Sequence, residues 1–262
     1  MKKQFVMTII VFLFFGTLAF AAPVTTWEYT NFAIFTTWTT STTGTQGNVR
    51  LEDGGRTLEW GSNLFTNDQS QITISPSVTD IDLITAFGSE FPVSQPVISL
   101  THENNSINAA WRTLASATIR STIEFTPHVP YDDSVNFSFF KDIEFIFYET
   151  PNDSSTPNDI FVLKDPGVTK GEFVHDGYTY VYEFTGQGFQ PISSEYIAYI
   201  NGEGVTLPQY VGWVTTEGFD NTAQFYVNIT GTPNSVPEPS TVLLLGVGLL
   251  GMGAVARRRR SN

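Results

Sequence analysis

The 262-residue chain has no cysteine, and its only histidines are His102, His128 and His175. The missing cysteine excludes disulfide staples, thiolate nucleophiles and Cys-ligated zinc, and the three histidines are not spaced as metal ligands. There is neither a Gly-x-Ser-x-Gly elbow nor a His-Glu-x-x-His helix motif. Basic residues are scarce wherever the chain has folding character. Of 13 Lys and Arg, six sit at the ends (Lys2, Lys3 and Arg257 to Arg260), while every acidic residue except Glu238 lies between Pro23 and Val236. The middle of the chain therefore carries about −18, a field that repels phosphate and excludes nucleic acid as a partner. No long amphipathic helix is visible between Pro23 and Val236.

What is present begins with two apolar termini. Lys2 and Lys3 precede an apolar run from Phe5 to Phe20, and Ala19-Phe20-Ala21 supplies small residues for cleavage, so residues 1–22 read as a signal peptide. At the other end Pro237-Glu238-Pro239 leads into Thr241 to Ala256, which is uncharged, and then into Arg257, Arg258, Arg259 and Arg260. As a helix this run reaches roughly 24 Å, a little short of a ~30 Å hydrocarbon core, with snorkelling arginines making up part of the difference. The arginines stop transfer and stay cytoplasmic, so the body faces outward. Residues 231–239, with Pro233, Pro237 and Pro239, read as an extended linker and 240–262 as a transmembrane helix with an Arg-rich tail.

Between the ends the hydrophobic rhythm is two. Ala115, Ala117, Ile119, Ser121, Ile123 and Phe125 share one face of a strand, and Val135 to Tyr148 repeats the pattern with Lys141 on the apolar parity, which predicts a bulge or break near Phe140. Glu172 to Phe184 is a hairpin turning at Asp176-Gly177. Further strands are expected over Tyr29–Phe35, Thr57–Gly61, Gln71–Ser75, Ile81–Phe87, Val97–His102, Tyr196–Ile200, Tyr210–Thr215 and Ala223–Thr230. The Thr-rich stretch 36–45 reads as an exposed edge or loop. Short strands separated by Gly, Pro, Asn and Asp define an all-β fold, an antiparallel β-sandwich of jelly-roll type over residues 23–230.

Candidate chemistry is sparse. His102, flanked by Thr101, Glu103 and Asn104, reads either as a ligand site or as a hydrogen-bonded corner holding the loop from Glu103 to Ile107; the corner is favoured, because imidazole and amide groups readily satisfy turn backbone. Asp132-Asp133, Asp80-x-Asp82 and the stretch from Asn152-Asp153 to Asn158-Asp159 carry oxygen ligands for calcium, but none has the alternating pattern of a recognisable site, so they read as solvated acidic loops. No cofactor other than calcium is suggested. Paired carboxylates with Trp27, Trp38, Trp60, Trp111 and Trp213 would suit a polysaccharide hydrolase or a carbohydrate-binding module, but tryptophans among 22 phenylalanines are better used as core, and no enzyme is expected.

The Pro-Glu-Pro, apolar run and terminal arginines over residues 236–260 resemble the PEP-CTERM sorting signal of exopolysaccharide-producing Gram-negative bacteria. The body resembles the THxN family of PEP-CTERM proteins, related to the choice-of-anchor K type. The resemblance rests on Thr101-His102-Glu103-Asn104, Leu58-Glu-Trp-Gly61, Phe173 to Phe184 and Val214-Thr-Thr-Glu-Gly218. It implies processing by signal peptidase and then by exosortase, a transient stay in the inner membrane, and delivery to the cell surface or extracellular matrix. The expected role is a non-enzymatic structural or adhesive component of exopolysaccharide or biofilm, with extracellular polysaccharide as a candidate partner.

Overall fold

The structure, a computed structural model, describes residues 22–62, 68–150, 158–166, 170–234 and Gly248. The expected signal peptide, the Pro237-Glu238-Pro239 motif, the apolar run and Arg257 to Arg260 lie outside these residues, apart from Ala22 and Gly248. Among the described residues no helix is long and apolar enough to cross a membrane.

The described chain is mostly strand. In order it forms β1 (Thr26–Thr40), β2 (Arg50–Glu52), β3 (Thr57–Trp60), β4 (Ser70–Ile74), β5 (Val78–Phe87), β6 (Gln95–Asn104), β7 (Leu114–Val129) and β8 (Phe137–Tyr148). Next come β9 (Asn158–Leu163), β10 (Lys170–His175), β11 (Tyr178–Gly186), β12 (Gln190–Pro191), one helix, α1 (Ser194–Gly202), β13 (Val211–Thr216) and β14 (Phe219–Pro233). The period-two pattern explains the long strands. In β7 the residues Ala117, Ile119, Ser121, Ile123 and Phe125 are all buried, and in β8 the odd positions turn inward while Ser138, Phe140, Asp142 and Glu144 are exposed. Asp176 and Gly177 both have positive φ (48° and 80°), as the tight turn between β10 and β11 requires.

Hydrogen bonds join the strands into one 14-stranded sheet along the path β12-β13-β9-β8-β7-β1-β5-β14-β6-β4-β3-β2, with β11 also on β14 and β10 on β11. This differs from the two separate sheets of a jelly roll, and β5 and β14 run parallel where only antiparallel pairs were expected. A common core nevertheless survives. Five steps along the path separate β6 from β8, roughly 24 Å in a flat sheet. Yet the His102 and Phe147 rings are 5.6 Å apart and those of Trp60 and Phe147 5.1 Å, so the sheet folds over on itself. Its two halves enclose Leu58, Trp60, Ile72, Leu100, Ile119, Phe145, Phe161 and Trp213. A second cluster, around Trp27, Phe125, Phe173, Tyr180 and Tyr182, fills the other end. Each fully buried Phe or Ile side chain contributes roughly 1.5–3 kcal/mol.

Two local expectations are corrected and a third is resolved. Residues 196–200 belong to α1 rather than a strand, because Ile200 is buried against Ile160, Val162 and Ile192, a one-sided contact that a single helical face satisfies. No bulge occurs near Phe140: β7 and β8 keep unbroken register from Ser116↔Ile146 to Phe125↔Phe137. Lys141 stands opposite the small Ser121 and lines an apolar cleft, so its stem packs without breaking the strand. For Thr36 to Thr40 the edge alternative holds rather than the loop: they end β1, paired on one side only, to β7, and tied by Thr37 Oγ1 to Thr118 Oγ1 at 2.8 Å.

The chain direction gives the fold two distinct ends. Thr26 at the start of β1 pairs with Ile84, and Gly231 near the end of β14 pairs with Phe87, so β1 begins and β14 finishes at the same end. Phe219, where β14 starts, pairs with Asn104 at the opposite end.

Candidate functional site

The strand alternation of β6 divides the Thr101–Asn104 motif between two faces. Thr101 turns to the outer face, where its hydroxyl meets that of Thr222 at 3.1 Å. His102 and Asn104 turn inward and are almost fully buried, at 0% and 1% exposure. Both reach across the core to one residue of β13: His102 Nδ1 lies 2.9 Å from Thr215 Oγ1, and Asn104 Nδ2 donates to the Thr215 carbonyl at 3.1 Å. The pair thus ties the two halves of the folded sheet together. The loop after β6 is held instead by Asn105, whose N–H donates to Ser70 Oγ and whose side chain donates to the Gln69 carbonyl.

His102 is enclosed by aromatic rings. Trp60 stacks on it at 5.4 Å, while Phe147, Phe161 and Trp213 meet it edge-on. Burial lowers its pKa to about 3, so the imidazole is neutral. Thr215 donates its hydroxyl hydrogen to the Asp159 carbonyl at 3.4 Å, which assigns the His102 proton to Nδ1 and leaves the buried Nε2 without a partner.

Beside this tie lie three carboxylates. Glu149 follows β8, Asp159 sits in β9 directly opposite Thr215, and Glu217 occupies the turn between β13 and β14. One ligand atom from each comes within 4.8 Å of the others. The turn is fixed by Gly218, whose φ of +75° suits glycine and whose N–H donates to the Asn104 carbonyl at 2.6 Å. Asp159 is 0% exposed; its Oδ1 accepts from the Thr150 N–H at 2.8 Å, while Oδ2 has no hydrogen-bond donor among the described residues. Burial, partly offset by the Thr150 amide, raises the Asp159 pKa to about 7, with Glu217 adding repulsion and Asn104 opposing it. Glu149 is pushed well above the usual carboxylate range, first by burial and then by Asp159 and Glu217. The Trp60 indole N–H favours the Glu149 charge but falls short of hydrogen-bond geometry.

Of the remaining sequence candidates, Asn152 and Asp153 lie outside the described residues, while Asp82, Asp132 and Asp133 lie elsewhere and have local partners. Asp132 accepts from the Ser134 amide and hydroxyl, Tyr131 donates to Asp133, and Asp82 pairs with His128 at 2.6 Å. His175 lies 3.4 Å from Asp176. Asp159, placed by the sequence in a solvated acidic loop, is instead a buried strand residue, because β9 pairs on both edges, with β8 and β13. Glu149 and Glu217 carried no recognisable spacing. The only signal was indirect: the phrases containing Trp60, His102, Asn104, Thr215 and Glu217, far apart in sequence, converge on this one corner of the fold. Three tryptophans, Trp27, Trp60 and Trp213, are buried, and Trp38 and Trp111 are half-buried. A separate cleft of about 350 Å³, lined by residues such as Ile98, Ile143, Phe184 and Phe225 with Lys141 and Glu183, is mainly apolar.

Comparison with known families matches residues 235–260 to the PEP-CTERM protein-sorting motif. No curated protein and no solved structure matches the chain. The motif indicates export and exosortase-directed sorting to the bacterial cell surface.

Proposed function

We propose that the chain is a non-enzymatic structural or adhesive component of the exopolysaccharide matrix of a Gram-negative bacterium, of the THxN, choice-of-anchor K-like kind. Signal peptidase removes residues 1–22, and the segment 240–262 holds the precursor in the inner membrane with Arg257 to Arg260 on the cytoplasmic side. Exosortase then reads Pro237-Glu238-Pro239 and releases or transfers the body to the surface. The observation that carries this reading is the sorting motif at 235–260.

Two features of the body support a role without catalysis. The group of three carboxylates centres on Asp159, which at 0% exposure is out of reach of a polymer substrate. The buried Trp27, Trp60 and Trp213 are spent on packing and offer no face to a sugar ring. Export of a body near −18 also fits a hydrated matrix in which like charge keeps chains apart.

Replacing Pro237, Glu238 and Pro239 with alanine tests the sorting step. In cells that make exosortase, the wild-type chain is expected as a shortened species at the surface or in the medium. The variant is expected to accumulate uncleaved in the membrane fraction. Identical size and fraction for both on a blot would reduce the tail to a passive anchor.

A further inference from the structure

We propose that Glu149, Asp159 and Glu217, with the Asn104 carboxamide beside them, form a binding site for one hard divalent cation, Ca²⁺ in preference to Mg²⁺. The three carboxylates converge from separate places in the chain, the end of β8, the interior of β9 and the β13–β14 turn, so their meeting is a product of the folded-over sheet and not of local composition.

Several observations point to a ligand rather than to a solvated acidic face. Asp159 is 0% exposed, and among the described residues its Oδ2 finds no hydrogen-bond donor. Glu149 Oε2 is occluded and likewise has no donor among the described residues. Asn104 stands independently of the acids: it is 1% exposed, its amide acts on the Asp159 carboxylate, and its own Oδ1 is buried without a partner. A buried acceptor left without a donor costs about 1–3 kcal/mol, and more where it is charged. The charges that act on this pair are negative: Glu149 feels Asp159 and Glu217, and Asp159 feels Glu217. A cation placed among these oxygens answers the repulsion and the missing donors together.

The donor set selects the class of ion. The group contains carboxylates only, without imidazole or thiolate, which favours Mg²⁺, Ca²⁺ or Mn²⁺ over zinc or copper. Ligand atoms on opposite sides of a Ca²⁺ ion stand roughly 4.6–5.2 Å apart and those of Mg²⁺ about 4.1 Å. Separations of no more than 4.8 Å admit either ion, and the irregular approach of three separate segments suits the flexible coordination of Ca²⁺ better than the strict octahedron of Mg²⁺. Thr150 donates to Asp159 Oδ1, and among the described residues Oδ2 is left for the ion.

The test uses the full chain, purified in detergent and stripped with EDTA. Calorimetric titration with CaCl₂ and separately with MgCl₂, at constant ionic strength, is expected to give one saturable Ca²⁺ per chain with Mg²⁺ at least about tenfold weaker. Saturating Ca²⁺ is expected to raise the unfolding temperature. Asp159→Asn and Glu149→Gln preserve shape and remove charge. Each is expected to weaken Ca²⁺ binding at least about tenfold and to melt no lower than the stripped wild type, because repulsion is relieved. Should Asp159→Asn fail to fold, the half-buried Glu149→Gln and Glu217→Gln carry the same readout. Absence of saturable binding would mean that the acids share a proton instead. Binding undiminished in the variants would assign it to the general acidic surface. Either result overturns the proposal.

Discussion

His102 is held neutral among Trp60, Phe147, Phe161 and Trp213, with Nδ1 bonded to Thr215, and this sets the sign of its contribution to acid stability. Its native pKa lies at about 3 against an ordinary 6.5, so below about pH 6.5 the unfolded chain takes up a proton that the native chain refuses. Stability is lost on acidification by up to about 1.4 kcal/mol per pH unit, until native His102 also titrates. Asp159 acts in the opposite sense: with its native pKa raised to about 7, its contribution is present at low pH and is lost as pH rises through that value. The His102 part is isolated by comparison with His102→Gln. The unfolding free energies of the two proteins, from urea melts, should converge as pH falls from about 6.5 towards about 3; a constant difference would mean that His102 is protonated in the native state. His102 was visible in the sequence because histidine is so rare here. Asp159 was hidden, since an Asp among Asn, Asp, Ser and Pro looks like a loop residue until β8 and β13 close over both edges of its strand.

At the level of elements, parity carried most of the reading. β7, β8 and the β10–β11 hairpin follow directly from alternation and from Asp176-Gly177, because side-chain period and turn sterics are local properties. Tyr196 to Ile200 resembles a strand in sequence because so few residues cannot distinguish periods of 2 and 3.6, and the burial of Ile200 that decides between them comes from β9. The same region depends on Gly212 in β13. A methyl group there would meet the Phe161 carbonyl and the Ile192 side chain far inside contact distance. Gly212→Ala should therefore displace β13 from β9 and destabilise the protein by about 1–3 kcal/mol in equilibrium unfolding. Because Thr215 and Glu217 ride on β13 and its turn, the substitution should also weaken cation binding without touching a ligand.

Taken whole, the body concentrates nearly all of the chain's acidity in one domain, and repulsion among like charges works against the compact state. Raising KCl from 0.01 to 0.15 M shortens the screening length from about 30 to about 8 Å. In the EDTA-treated protein this should raise the unfolding temperature on the order of 2–4 °C, and calorimetry showing no rise would place the acidic residues too far apart to matter. The all-β class was legible from strand rhythm, whereas the closing of 14 strands into one continuous sheet was not, since pairing partners such as β5 and β14 are set by distant contacts. The edges of that sheet are blunt: β2 has three residues and β12 two, and β10 displays Lys170 and Glu172. Polarity of the fold has one further result. The segment bearing the sorting motif departs where β14 finishes, and Asn104 and Glu217 lie where β14 starts, 15 residues away, roughly 50 Å in extended backbone. In the proposed tethered precursor the carboxylate corner would stand at the pole of the fold away from the chain's exit toward the sorting motif, so that the proposed cation would be drawn from the external medium rather than from the ion layer over the headgroups.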